Sequence, residues 1–121
     1  MVTGRKDDVG KLDMTLLDDM PRAIAAVVEV MQWAVTKKAE PYERGSWLLV
    51  HADRYRAAML RHHVAGNLAE SRDNQTLHPH TEARFQCDEE TNLLHLAHAA
   101  TSALMALENT LRELEASYAI E

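Results

Sequence analysis

Two histidines stand one helical turn apart inside an apolar stretch of the chain. Residues 93–107, LLHLAHAATSALMAL, contain no charged residue, and His95 and His98 interrupt them at a spacing of three. On a helix this spacing places both imidazoles on one face. Imidazole titrates near neutrality, so such a pair can bind a metal ion or a phosphate, or move a proton. The alternative is a pair of hydrogen-bonded core residues.

Three acidic residues come directly before these histidines, in the segment CDEETN. Asp88, Glu89 and Glu90 supply the carboxylate oxygens with which proteins bind Mg²⁺ and similar cations. Acids in the first turn of a helix are also favoured by the helix dipole alone. Both interpretations stay open at this point. Cys87 has no partner at a spacing typical of a zinc site.

Glu29 is the only charged side chain between Arg22 and Lys37. At roughly 100° of rotation per residue, it lies away from the apolar stripe of its helix and on the side of Trp33. A carboxylate in such surroundings needs a cation or hydrogen bonds to offset desolvation. Glu29 is therefore a candidate metal ligand or general base, with an ordinary surface position as the alternative.

The segment RYRAAMLRHH supplies cationic groups. Arg54 and Arg61 are seven residues apart and therefore share a helix face, with His62 on the neighbouring stripe. Arginine binds polyphosphate through charge-assisted hydrogen bonds, although surface arginines at this spacing are common. His78 and His80, in LHPH, are interpreted as loop residues.

The spacing of apolar residues predicts helices and no strands. Three helices are expected: from Pro21 to about Glu40, from Trp47 or His51 to Ala65, and from about Glu89 to Tyr118. Asp18 or Asp19 is expected to cap the first helix, the AGN of residues 65–67 to end the second, and residues 67–90 to be irregular. We therefore predict an all-α bundle of three to four helices.

The third helix lacks charge on both sides over residues 91–107. A leucine stripe covers one side, and Thr91, His95, His98 and Ser102 cover the other. One protomer has difficulty covering both sides of such a helix. We therefore expect an oligomer, or a cleft, on the histidine side.

Composition narrows the class of protein. A chain of 121 residues suggests one domain, expected over residues 11–121 after a flexible arm of residues 1–10. A net charge of −6 disfavours nucleic acid as a partner. A single cysteine excludes an intrachain disulfide, and no apolar run is long enough to span a bilayer or to serve as a secretory signal. A soluble cytoplasmic protein that does not bind membranes is expected.

Three segments, in order along the chain from about Lys11 to Glu108, resemble one family. KLDMTLLDDMPRAIAAVVEVMQWAVTKKAEPYERGSW resembles its opening, where a DLLP element leads into a helix that ends near a Trp. RYRAAMLRHHVA resembles its Arg-His helix. DEETNLLHLAHAATSALMALE is similar to its closing motif: an Asp, then Glu-Ser/Thr-Gly/Asn, then His-Leu-Ala-His-Ala-Ala. The family is the phage-associated dATP/dGTP diphosphohydrolases, relatives of the MazG-type all-α NTP pyrophosphatases.

The resemblance implies an enzyme that converts a purine (d)NTP to (d)NMP and pyrophosphate, with Mg²⁺ or Mn²⁺, as a homo-oligomer (dimer or tetramer). In certain phages such enzymes prepare purine monophosphates for 2-aminoadenine synthesis, so dGTP is the expected substrate. Candidate metal ligands are Glu29, Asp88 and Glu90, and candidate catalytic groups are Glu29, His95 and His98. Candidate substrate-binding residues are Lys37, Arg54, Arg61 and His62, with Trp33 for stacking on the purine.

The chain departs from the wider fold group, which carries E-x-x-E on its first core helix and E-x-x-D on a later one. Ala26 stands where a first Glu would fall, which leaves Glu29 alone, and His95 and His98 occupy the later stretch. Two other functions remain as alternatives. One is a non-catalytic helical oligomer that binds a partner helix or a metal. The other is a histidine-aspartate triphosphohydrolase, which the lack of any His-Asp dipeptide disfavours.

Overall fold

The computed structural model describes residues 4–7, 9–73 and 81–120. Its three α-helices are α1 (Pro21–Gln32), α2 (Ala52–Asp73) and α3 (His95–Ile120). Shorter turns are the 3-10 helices Met14–Asp19, Ser46–Leu49 and Ala83–Phe85, and a π-helical turn, Trp33–Lys37, that prolongs α1. Within the described residues, strand pairing is limited to a single bridge between Cys87 and Leu94. The predicted all-α class is confirmed. None of the helices described is long and apolar enough to cross a membrane.

α1 begins where the sequence predicts but is capped differently. Pro21 occupies the first turn, where its missing N–H is not needed. The residue at the N-cap is Met20, whose side chain makes no capping hydrogen bond, so the expected cap by Asp18 or Asp19 is wrong. Both aspartates belong instead to the preceding 3-10 helix. The helical path ends with the π-helical turn at residue 37, three residues short of the prediction.

α2 continues past its predicted end at Ala65 as far as Asp73, so residues 67–73 are helical and not irregular. Gly66, taken as part of the stop signal, is buried inside the helix. A Cβ at this position would lie 3.3 Å from the Ala83 carbonyl oxygen and 3.8 Å from the His95 Cβ. Glycine in a helix interior costs about 1 kcal/mol relative to alanine. Here the missing side chain lets the segment at Ala83 pack closely against α2. This packing outweighs the local tendency of glycine to end the helix.

α3 begins at His95 and not near Glu89, because a compact turn occupies residues 88–94. The Asp88 N–H donates to the Leu93 carbonyl, and the Asn92 N–H donates to the Asp88 carbonyl, both at 2.8 Å. Asn92 has φ 59°, in the left-handed region that asparagine and glycine adopt most readily. This conformation prevents the helix from starting earlier.

α2 and α3 form the most extensive helix pair, and α1 packs on α3. The apolar core is small: among the described residues, only the hydrophobic side chains of Val30 and Ala97 are buried. The histidine side of α3 faces α2 and includes the buried His98 and Thr101. α2 of the same chain packs on this side, and the expected oligomer or cleft there stays a prediction. The opposite side remains exposed, with Leu96, Leu104, Leu107, Leu111 and Leu114 each about half accessible.

Asn109 connects α3 to the segment after α1. Its Nδ2 donates to the carbonyls of Trp47 (3.1 Å) and Val50 (2.7 Å), and its Oδ1 is buried without a hydrogen-bond partner. We predict that Asn109→Ala lowers the free energy of unfolding by about 1–3 kcal/mol, because two carbonyls lose their donor. Asn109→Asp should lower it further, because a carboxylate of the same shape faces both carbonyls and donates nothing.

Urea denaturation followed by circular dichroism measures both effects, with Thr110→Ala, at an exposed neighbouring position, as the control. An Asn109→Asp variant as stable as the original chain would show that this link contributes little.

Candidate functional site

Three imidazoles from two helices meet between α2 and α3. His62, on α2, places its Nδ1 2.9 Å from the Nδ1 of His95, on α3. The ring of His62 also stacks on that of His98, with centroids 4.5 Å apart and planes inclined by 10°. We call His62, His95 and His98 the histidine cluster. The predicted His95–His98 pair is thus completed by a residue from α2, on the side of α3 that faces α2.

Asp88 brings a carboxylate to this cluster. The turn before α3 holds it, since its Oδ2 accepts hydrogen bonds from the backbone N–H groups of Glu90 (3.1 Å) and Thr91 (3.0 Å). One ligand atom from each of His62, Asp88 and His95 lies within 4.8 Å of the others. Among the described residues, no other group of three or more His, Cys, Asp or Glu side chains has its ligand atoms this close together. We call it the His62–Asp88–His95 group.

Thr91 joins the carboxylate to the third imidazole. Its Oγ1 lies 2.7 Å from the Nε2 of the buried His98 and accepts a hydrogen bond from the Leu93 N–H. Its backbone N–H donates to the Asp88 Oδ2 at 3.0 Å. Thr91 therefore contacts Asp88 through its backbone and His98 through its hydroxyl.

Burial and mutual proximity lower the pKa values of His62 and His98 and so favour their neutral forms. Desolvation lowers the pKa of His62 below its usual range, and the neighbouring His98 and His95 lower it further. Desolvation also lowers the pKa of His98, against the opposing attraction of Asp88. For Asp88 burial acts to raise the pKa, but the Thr91 hydrogen bonds and the nearby imidazoles outweigh it, and the pKa is lowered. Neutral imidazoles beside an ionised carboxylate are the forms that bind a metal ion.

The other predicted acids stand apart from the His62–Asp88–His95 group. Glu90, on the same turn as Asp88, is exposed but close enough to His98 to influence its pKa. Glu29 is exposed on α1 and does not belong to the group. Of the three predicted metal ligands, only Asp88 is within reach of the two histidines.

The predicted substrate-binding residues line different parts of the surface. Arg54 and Arg61 are both exposed on α2, and Arg61 lies next to the cluster residue His62 and lowers its pKa slightly. Lys37 is exposed at the end of the π-helical turn, and Trp33, at its beginning, is half-buried. Their roles remain predictions. His78 and His80 lie outside the described residues.

Lys38 is a cationic residue near Glu90 that the sequence pattern does not single out. Its Nζ donates to the Tyr42 hydroxyl at 2.8 Å and lies 4.2 Å from the centre of that ring. The pKa of Lys38 is raised, first by this hydrogen bond and then by neighbours that include Glu90. Lys38 therefore lies close enough to Glu90, on the turn that holds Asp88, to be influenced by its charge. The four-residue spacing of Lys38 and Tyr42 was the available signal, but this segment was interpreted as the end of a helix.

Comparison with known proteins identifies the family of this chain. Residues 1–117 match a family model described as dATP/dGTP diphosphohydrolase, N-terminal. The chain belongs to this family. No curated protein and no solved structure matches the chain. The histidine cluster and Asp88 of this dATP/dGTP diphosphohydrolase family member come from the Arg-His helix and from the closing motif, which is the most specific part of the resemblance.

His62 and His98 predict that stability depends on pH in the metal-free protein. Their pKa values are lower in the folded chain than in the unfolded chain, where histidine titrates near 6.5. Below that pH the unfolded chain binds more protons, so the free energy of unfolding falls as the solution is acidified. The stabilisation is complete above about pH 6.5, and we expect the midpoint of thermal unfolding, measured with a chelator, to drop between about pH 7.5 and 5.5.

A His98→Gln variant should lose part of this pH dependence, whereas His51→Gln, at an exposed histidine, should retain it. A midpoint that stays constant or rises on acidification would contradict the assignment.

Proposed function

We propose that this chain hydrolyses purine deoxynucleoside triphosphates to the monophosphate and pyrophosphate, with dGTP as the preferred substrate and a divalent metal ion as cofactor. The His62–Asp88–His95 group, in a member of the dATP/dGTP diphosphohydrolase family, carries this proposal. A role in phage nucleotide metabolism, in the supply of purine monophosphates for 2-aminoadenine, is the corresponding biological proposal.

The donor atoms fit a cation of the transition series better than Mg²⁺. Nitrogen ligands lie about 2.0–2.1 Å from such a metal, so two adjacent ones are about 3 Å apart, and the two Nδ1 atoms are separated by 2.9 Å. Two imidazoles and one carboxylate suit Mn²⁺ and its neighbours, whereas Mg²⁺ is held by oxygens. We therefore propose Mn²⁺ at His62, Asp88 and His95. A metal bound there would neutralise negative charge on the triphosphate.

The side chains around this group are held in place before substrate binds. Hydrogen bonds from two backbone N–H groups fix the Asp88 carboxylate, and ring contacts with His95 and His98 fix the plane of His62. Such preorganisation lowers the barrier because little rearrangement accompanies the reaction. His98, buried behind His62, acts in this proposal by positioning that ring.

Phosphoryl transfer to water also requires cations along the triphosphate. Lys38 lies near Glu90, on the turn that holds Asp88, and Arg61 is adjacent to His62 on α2. We propose that Lys38 and Arg61 contact the phosphates, with Arg54 and Lys37 further out on the exposed surface. Glu29 stays a candidate for activating water, and Trp33 a candidate for stacking on the purine.

The direct test incubates purified protein with each dNTP and either Mn²⁺ or Mg²⁺ and identifies the products by ³¹P NMR. We expect dGMP and pyrophosphate from dGTP, with faster turnover in Mn²⁺. Asp88→Asn should lower kcat by about 100-fold or more, because removing a charged metal ligand weakens both cation binding and its orientation. Asp53→Asn, at an exposed carboxylate on α2, should leave the rate unchanged.

Other products would contradict the proposal. Triphosphate with free nucleoside would support a triphosphohydrolase, and no turnover of any purine nucleotide under either metal would support a non-catalytic protein. In the same assay Glu29→Gln is expected to abolish turnover while circular dichroism remains unchanged. Near-normal rates in that variant would remove Glu29 from the site.

Adjacent lysines offer a matched pair for testing phosphate binding. Lys38 is fixed by Tyr42 near Glu90, whereas Lys37 is exposed. We predict that Lys38→Met raises KM for dGTP about tenfold or more with a smaller change in kcat, because a charge-assisted hydrogen bond to phosphate is lost. Lys37→Met should change KM less than twofold. Equal effects of the two substitutions in steady-state kinetics would contradict a specific role for Lys38.

A further inference from the structure

The hydroxyl of Thr91 lies where the turn of residues 88–94 meets the histidine cluster. Its Oγ1 is 2.7 Å from the Nε2 of His98 and accepts a hydrogen bond from the Leu93 N–H at 3.2 Å. A hydroxyl has one proton and two lone pairs, so after the bond from Leu93 it can still donate to Nε2 or accept from it. The hydrogen bond to His98 therefore forms with either tautomer of the neutral ring.

His98 transmits the position of this hydroxyl to His62. The ring of His98 is not part of the His62–Asp88–His95 group, but it is buried and stacks on His62 with planes inclined by only 10°. Two rings in such close face-to-face contact cannot tilt independently, because tilting one brings its edge into the other. The hydrogen bond that orients His98 thus also restricts the plane of His62, and with it the direction of the Nδ1 that faces His95.

The backbone of Thr91 has a separate role. Its N–H donates to the Asp88 Oδ2 at 3.0 Å, a contact that any non-proline residue at this position can make. The hydroxyl makes the contacts with His98 and Leu93, which only a hydroxyl side chain can make in this geometry. Substitutions of the side chain therefore separate the effect on His98 from the support of Asp88.

We infer that Thr91 is a positioning residue, whose hydroxyl acts through His98 to hold His62 in the orientation that binds a divalent cation. The identity of the cation rests on the proposed function, whereas the orientation of the rings is a property of the metal-free chain. Side chains that support metal ligands without contacting the metal change metal affinity or activity by about 10- to 100-fold when they are removed. Thr91 acts through one intervening ring, so we expect an effect of about tenfold.

The competing role is simple support of the turn, because the same hydroxyl accepts the Leu93 N–H. Thr91→Val keeps the shape of the side chain but removes both hydrogen bonds. His98→Phe keeps an aromatic ring next to His62 and removes only the bond to His98. If Thr91 acts through His98, the two substitutions are not additive, and Thr91→Val has little effect in a His98→Phe background. Support of the turn alone predicts additive effects.

Titration with Mn²⁺, followed by the electron paramagnetic resonance signal of the free ion, measures the affinity. We expect Thr91→Val to raise the Kd about tenfold, and Thr91→Ser, which restores the hydroxyl, to stay within about twofold of the original chain. Thr101→Val is the matched control. Its hydroxyl is also buried on α3, but it donates to the Ala97 carbonyl of the same helix, so the Kd should not change.

Nitrogen-15 NMR of the imidazoles, recorded with a chelator, tests the orientation without metal. Thr91→Val should shift the ring resonances of His62, whereas Thr91→Ser and Thr101→Val should leave them in place. If Thr91→Val does not fold, His98→Phe provides the test, since it breaks the same bond and should also raise the Kd about tenfold.

Three results would overturn the inference: a folded Thr91→Val variant with unchanged His62 resonances, an unchanged Kd in Thr91→Val or His98→Phe, or additive effects of the two. An original chain that binds no Mn²⁺ would contradict the proposed metal site instead. The imidazole spectra would then still decide whether the Thr91 hydroxyl orients the rings.

Discussion

The contact of His62 with the two histidines of α3 constrains the rest of the structure. Burying an imidazole whose nitrogens have no hydrogen-bond partner is unfavourable, because the desolvation penalty of the nitrogens is not offset. The buried rings therefore need hydrogen-bond partners within the protein. His62 is within hydrogen-bond distance of His95, and His98 is within hydrogen-bond distance of the Thr91 hydroxyl. This pairing fixes which side of α3 faces α2 and how closely the two helices approach. Gly66 lies at this approach, where a Cβ would crowd the Ala83 carbonyl at 3.3 Å and make an ordinary contact with the His95 Cβ at 3.8 Å.

The turn between residues 88 and 94 is as important as the helices it precedes. Had α3 begun near Glu89, Asp88 and His95 would be seven helical residues apart, about 10 Å along the axis. The turn instead folds back through Asn92, so that Asp88 approaches both His95 and His62. An irregular segment thus brings together ligands that a continuous helix would separate. In the family's closing motif, the Gly/Asn position is the one with positive φ.

The sequence predicts features that depend on residues close together in the chain. It does not predict contacts between residues that are far apart in the chain. The three-residue spacing of His95 and His98 correctly placed them on one face, and Pro21 marked the start of α1. His62 joins them from 33 positions away, a proximity that no local pattern records. The end of α2 was misjudged because glycine serves here for packing between elements and not as a terminator. For α3, both sides lacked charge, so periodicity alone could not decide which side lay inside.

That last ambiguity has a physical resolution. Imidazoles require partners at defined distances and angles, and α2 of the same chain supplies one whatever the protein concentration. Leucines require only removal from water, which any apolar surface of matching shape provides. A helix with one side of each kind therefore makes its directional contacts with α2 and leaves its leucine side largely exposed. Because only Val30 and Ala97 are buried among the described hydrophobic residues, the polar contacts of the histidine cluster, and not a large apolar core, decide how α2 lies against α3.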